Sequence, residues 1–107
     1  MAQDFRNVLK SATGTSPVSV LPAGDYDAVI GIRCCNIVAT TILVDVYINN
    51  SSDFYLAKNV SIPPNSAIEL IQGGAKVVLK NGDTLYVKSD TASSVDTVLS
   101  YIDTISS

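Results

Sequence analysis

Thr41-Ile42-Leu43-Val44-Asp45-Val46-Tyr47-Ile48-Asn49 alternates without a break. Ile42, Val44, Val46 and Ile48 fall on one side, and Thr41, Leu43, Asp45 and Tyr47 on the other. Successive side chains of a strand point to opposite faces, so this period of two predicts a β-strand with an aliphatic core face. β-Branched residues dominate that face and suit a pleated, half-buried surface. The second face is mixed, and Leu43 with Tyr47 makes it apolar enough to meet a neighbour.

The same grammar extends in both directions. Asn49-Asn50-Ser51-Ser52-Asp53 is a loop of residues that tolerate left-handed backbone, which suits a hairpin connection. The run from Phe54 to Ile62 stops at Pro63-Pro64, which cannot donate to a ladder, so that strand ends there or lies at an edge. Ala67 to Ile71 is short and precedes Gly73-Gly74. Lys76 to Lys80 and Thr84 to Lys88 flank Asn81-Gly82-Asp83, and this turn chemistry predicts a hairpin between them. The last run, Val95 to Ile105, is apolar on both sides and predicts a strand that is central or lies at an interface. Upstream, Val18 and Val20 lead into a turn at Pro22-Ala23-Gly24-Asp25. The strand from about Asp27 to Asn36 then has Ala28, Ile30, Ile32 and Cys34 as its expected core face. Gly31 on its other side signals a bulge or a close backbone approach.

Turns between β-branched runs, at intervals of about ten residues, predict an all-β domain of roughly eight strands: an antiparallel β-sandwich, jelly-roll-like. Its expected core includes Ile30, Ile32, Ile42, Val44, Val46, Leu85, Val87 and Val98. Residues 1–14 read differently. Asp4, Phe5, Val8 and Leu9 offer a weakly amphipathic turn or two that breaks at Ser11-Ala12-Thr13-Gly14, which predicts an N-terminal arm, frayed or briefly helical. The division expected is an arm over 1–14 and a sandwich over 15–107. On this reading the arm docks Phe5, Val8 and Leu9 on a neighbour, and its removal leaves the sandwich folded.

Composition narrows the function. The 107 residues are 47% hydrophobic and 16% charged, against a usual charged share of about 25%. A surface so short of charge is expected to be covered in part by another copy or another protein. The net charge is -3, and the seven Lys and Arg residues form no stripe or tail, so nucleic acid is not an expected partner. No run approaches the roughly 20 apolar residues of a membrane-spanning helix. The N-terminus has no apolar signal core, which points to synthesis in a cytoplasm. Cys34 and Cys35 are adjacent and would need a strained ring to bond, so free thiols are expected.

Catalytic chemistry has little to work with. There is no histidine, the usual general acid or base, and no base to activate the many Ser and Thr hydroxyls. Asp25, Asp27, Asp45 and Asp53 could gather as calcium ligands only if the fold brought them together, and turn chemistry accounts for them otherwise. Tyr26, Tyr47, Tyr55, Tyr86 and Tyr101 could form a carbohydrate platform if exposed together, and serve equally as half-buried sheet residues. No enzyme, cofactor or metal site is expected.

Several segments, in order, resemble the small all-β virion structural proteins of tailed bacteriophages, a type common in marine cyanophages. They are Val20-Leu21-Pro22-Ala23-Gly24, Val29-Ile30-Gly31-Ile32 with Asn36, Val44-Asp45-Val46-Tyr47-Ile48, Tyr55 through Pro63, Ala67-Ile68-Glu69-Leu70, Lys76-Val77-Val78-Leu79, Gly82 through Val87, and Ser94 through Ile102. The likeness covers residues 18–103 and departs at Cys34-Cys35, where small or apolar residues are expected. It implies a virion component without an active site: a capsid decoration (cement) protein that stabilises a shell by protein–protein contacts. The alternative is a fibre, neck or tail adhesin domain that binds a host-surface glycan or another tail protein. The partners implied are capsid or other virion proteins and further copies of the chain, with a trimer favoured. The expected contact residues are Phe5, Val8, Leu9, Leu43 and Tyr47.

Overall fold

A computed structural model of the chain describes residues 5–22, 27–71 and 77–102. Among these are nine strands: β1 (Phe5–Thr13), β2 (Val18–Pro22), β3 (Asp27–Asn36), β4 (Ile42–Asn49), β5 (Asp53–Ile62), β6 (Ala67–Glu69), β7 (Val77–Leu79), β8 (Thr84–Ser89) and β9 (Val95–Ile102). All pairing is antiparallel. One sheet runs β1-β9-β3-β6, with β7 beside β6 along the same edge of β3, and the other runs β2-β8-β4-β5.

The strand order describes a rolled ribbon. The first half of the chain pairs with the second half in reverse: β1 with β9, β2 with β8, β3 with β6 and β7, and β4 with β5. Successive pairs alternate between the two sheets. That is the jelly-roll arrangement, with β6 and β7 sharing one strand position. The expected antiparallel sandwich is the fold.

The core lies between the sheets. Val29, Ile32, Cys34, Leu79, Val95 and Leu99 from the first sheet meet Ile42, Val44, Val46, Leu85 and Val87 from the second, and all are fully buried. The inward alternation of β4 falls where its sequence pattern puts it, with Ile48 partly buried against the cluster. Each such residue contributes roughly 1.5–3 kcal/mol by leaving water.

Four expectations need correction. Ile30 is not in the core. A register shift between Val29 and Gly31 bulges β3, so Val29 and Ile32 both face inward while Ile30 turns out. The signal from Gly31 was sound, but an extra residue flips the faces on one side of it. Val98 is also outside: Val95, Thr97 and Leu99 are the buried set of β9, and Val98 alternates away from them. Third, β7 and β8 do not form a hairpin. β7 pairs with β3 and β8 with β2 and β4, so the turn at Asn81-Gly82-Asp83 carries the chain from one sheet to the other. The turn itself is as its residues dictate. Gly82 has φ +98°, the Asp83 N–H donates to the Lys80 carbonyl at 3.0 Å, and the Lys80 N–H donates to Asp83 Oδ2 at 3.0 Å.

The fourth correction concerns the N-terminus. Residues 1–4 lie outside the described residues, but Phe5–Thr13 is a full strand of the first sheet and neither a helix nor an arm beyond the sandwich. Phe5 through Lys10 pair with Ile102 through Thr97 in unbroken register. Val8 packs partly buried against the core, and Thr13 is buried. Ala12, at φ 53°, ends the regular run, and its N–H donates to Asp96 Oδ1 at 2.8 Å.

A buried asparagine ties the roll together at one end. The Asn36 side-chain amide lies within donating distance of three carbonyls, Thr40 at 2.7 Å, Ile62 at 3.0 Å and Pro63 at 3.2 Å. Its Oδ1 accepts from the Val38 N–H at 2.9 Å, and its backbone N–H donates to Ser66 at 2.8 Å. The end of β3 is thereby fastened to the end of β5 in the opposite sheet. Asn36→Ala removes the side-chain donor from the buried Ile62 carbonyl and from the part-buried Thr40 and Pro63 carbonyls, so it is expected to cost roughly 2–3 kcal/mol. Urea unfolding measures this, and a loss within experimental error of zero would mean that the network contributes nothing.

Candidate functional site

The outer face of the first sheet exposes two rows of large apolar side chains, with Asn7 and Ser100 between them. β1, β9 and β3 present Phe5, Leu9, Val98, Ile102 and Ile30 there, and β7 adds Val78. Phe5 is 77% exposed, Leu9 64%, Val78 54% and Val98 43%. These side chains form rows across paired strands. Phe5 lies opposite Ile102 and Leu9 opposite Val98 on β1 and β9, and Ala28 lies between Ile102 and Val78. Gly31 has nothing within 4 Å of where a Cβ would stand, and the bulge of β3 leaves a shallow depression there beside Ile30, Val98 and Ser100. One rim of this surface is charged. Arg33 donates to Glu69 from Nε at 2.7 Å and pairs with it through Nη2 at 2.6 Å.

The outer face of the second sheet carries a row of tyrosines. Tyr47 on β4 lies opposite Tyr55 on β5 and Tyr86 on β8. Its ring is 5.2 Å from that of Tyr55, tilted by 43°, and 5.5 Å from that of Tyr86, nearly parallel at 24°. The Lys58 ammonium stands 4.3 Å from the centre of the Tyr55 ring. Two irregularities in β5 set this alignment, and the Asn59 N–H, at a residue with φ 52°, donates to Asp45 Oδ1 at 2.7 Å beside one of them. Tyr47 is 8% exposed, and burial, then the nearby Asp53 carboxylate, the flanking tyrosines and Asp45, push its phenol above the usual value. It stays neutral at physiological pH. Its ring faces are spent on its neighbours, and those of Tyr55 on Tyr47 and Lys58. The row therefore presents ring edges and hydroxyls, with little open ring face for a sugar to stack on.

The five residues expected to form contacts are thus divided. Phe5 and Leu9 share the outer face of the first sheet, and Val8 between them turns inward. Leu43 and Tyr47 share the outer face of the second sheet, on the other side of the molecule. Leu43 is exposed, while Tyr47 is closed in by its row. Val78, Val98, Ile102 and Ile30 share the first surface and were not singled out for it in the sequence. The two-sided apolar pattern of β9 was the available signal for Val98 and Ile102.

The groups that could do chemistry are dispersed. Burial pushes the Cys34 thiol up to about 11, with the Thr97 hydroxyl partly offsetting this and Glu69 adding to it, so it is no nucleophile at neutral pH. Cys34 and Cys35 are both free thiols. Asp27 begins β3 in one sheet, Asp45 holds the β5 irregularity in the other, and Asp53 accepts from Asn49 Nδ2 at 2.8 Å. Among the described residues no three His, Cys, Asp or Glu side chains stand together to hold a metal ion. Among the same residues no helix is long and apolar enough to cross a membrane.

In comparisons with known proteins, no family model, no curated protein and no solved structure matches the chain.

Proposed function

We propose that this chain is a non-enzymatic structural protein of a tailed-phage virion, made in the host cytoplasm and acting as a decoration or cement protein that holds a shell through protein–protein contacts. The observation that carries this reading is the apolar outer face of the first sheet. Phe5, Leu9, Val78 and Val98 all stand exposed on one side of a 107-residue domain whose charged share is only 16%. Large apolar side chains exposed together on one sheet face, here as two rows on either side of Asn7 and Ser100, mark an interaction site more often than idle exposure. The jelly roll supports the reading weakly, since viral capsid domains, lectins and cupins all use it. The glycan-binding alternative, a fibre or adhesin domain, draws less support, because the tyrosine row keeps most of its ring faces to itself.

Densitometry of purified particles tests the proposal. A copy number on the order of hundreds is expected for a protein that follows the symmetry of a shell. Roughly a dozen copies or fewer would move it to the neck, tail or a fibre. Its absence from the particle would end the virion reading.

A further inference from the structure

We propose that β1 pairs antiparallel with β1 of a second copy, about a two-fold axis at Asn7, so that the first sheets of the two molecules become one continuous sheet. This does not depend on the virion role. It rests on how the four sheet edges differ. β5, one edge of the second sheet, is irregular at two places and ends at Pro63. β2, the other, is five residues long between Pro17 and a terminal Pro22. β6 and β7 are three residues each. Irregularity, proline, shortness and charged side chains are devices that keep edge strands from pairing with other chains. β1 has none of the first three over Phe5–Lys10, which is unbroken in register and free of Pro and Gly, and its charges are confined to Arg6 and Lys10. It is also the edge that borders the apolar face.

The residues of β1 choose the register. Pairing must keep outward residues beside outward residues, so only shifts of two are allowed. Centring on Asn7 sets Phe5 opposite Leu9 of the second copy, twice, and Arg6 opposite Val8. Centring on Arg6 sets Arg6 against itself. Centring on Val8 sets Arg6 against Lys10 twice, and like charges directly opposed are destabilising. Centring on Leu9 runs the ladder into Ala12, whose left-handed φ of 53° breaks it. Among registers whose axis falls within Arg6–Leu9, the Asn7 register alone avoids all three faults; an axis at Phe5 would rest on residues outside those described. It also joins existing rows. Val98 and Leu9 of one copy continue into Phe5 and Ile102 of the other, which sets Phe5 and Leu9, the two most exposed large apolar side chains among the described residues, beside each other.

The test uses the full-length protein. Light scattering at micromolar concentration is expected to show a dimer. Leu9→Lys, at an exposed position that should not disturb the fold, is expected to weaken association by about 100-fold. In a Cys35→Ser background, Asn7→Cys is expected to oxidise to a covalent dimer, because residues facing each other across the axis have Cα atoms about 4.5–5.5 Å apart, within disulfide reach. Cys35→Ser alone should not cross-link. A monomeric parent, a three-fold assembly, a dimer indifferent to Leu9→Lys, or an Asn7→Cys protein that stays uncross-linked would each overturn the proposal. A two-fold dimer that occurs on no particle would leave it standing while the virion role falls.

Discussion

Val44→Asp is expected to abolish the folded state, whereas Leu43→Asp one position away leaves it standing. Val44 is fully buried at the centre of β4, paired with Val60 and Ser89 in the middle of the second sheet. A carboxyl group there has no partner and must be buried charged or forced neutral, at a cost of several kcal/mol. The lost packing adds to this, against a total stability of about 5–15 kcal/mol for a domain. Leu43 faces outward and is exposed, so its change should stay within about 1 kcal/mol. Circular dichroism with thermal unfolding of both variants decides the matter. A cooperative, native-like Val44→Asp protein would contradict the placement of that face.

Deleting residues 1–14 is expected to lower stability by roughly 3 kcal/mol or more, a fall in melting temperature of about 12 °C or greater for a domain of this size. The sequence reading of an arm led to the opposite expectation. In the structure the deletion takes away a whole strand. Val8 leaves the core, the ladder from Phe5–Ile102 to Thr13–Val95 is lost, and β9 becomes a bare edge with Leu99 beneath it. The Thr13 and Gly14 carbonyls also stop accepting from the Ser94 and Ser89 N–H groups, at 3.0 Å each. Thermal unfolding of the truncated protein measures the effect. An unchanged melting temperature would mean that β1 adds nothing to the sandwich and that the arm description was adequate.

The outward-facing apolar side chains were legible only in part. Leu43 was identifiable as outward-facing because Thr41–Asn49 alternates for nine residues without interruption. Phe5 and Leu9 were singled out as residues with no place in the core, and they have none. Their reason differs from the one expected: they lie on the outer face of a strand, with Val8 between them turned inward. The tyrosine row could not be read, since Tyr47 meets Tyr55 only after β5 has gained its extra residues.

What the sequence by itself determined is what depends on neighbours along the chain. The period of two in β4 and β8 set their inward faces, Pro63 set the end of β5, Gly31 announced a bulge, and Asn81-Gly82-Asp83 specified a reversal. The tertiary structure decided everything that depends on which segments meet. The reversal at Gly82 joins two sheets instead of closing a hairpin, because turn chemistry fixes a local bend and says nothing of the strand beside it. Ile30 went outward because one bulge residue exchanges the faces of β3, at a position settled by pairing with β9, and Val98 because Val95, Thr97 and Leu99 are the residues of β9 that meet the other sheet. β1 was illegible for the same reason. At a sheet edge half its surface is open to solvent, so little selects for alternation, and Phe5-Arg6-Asn7-Val8-Leu9-Lys10 becomes a strand only because β9 lies alongside to pair with it.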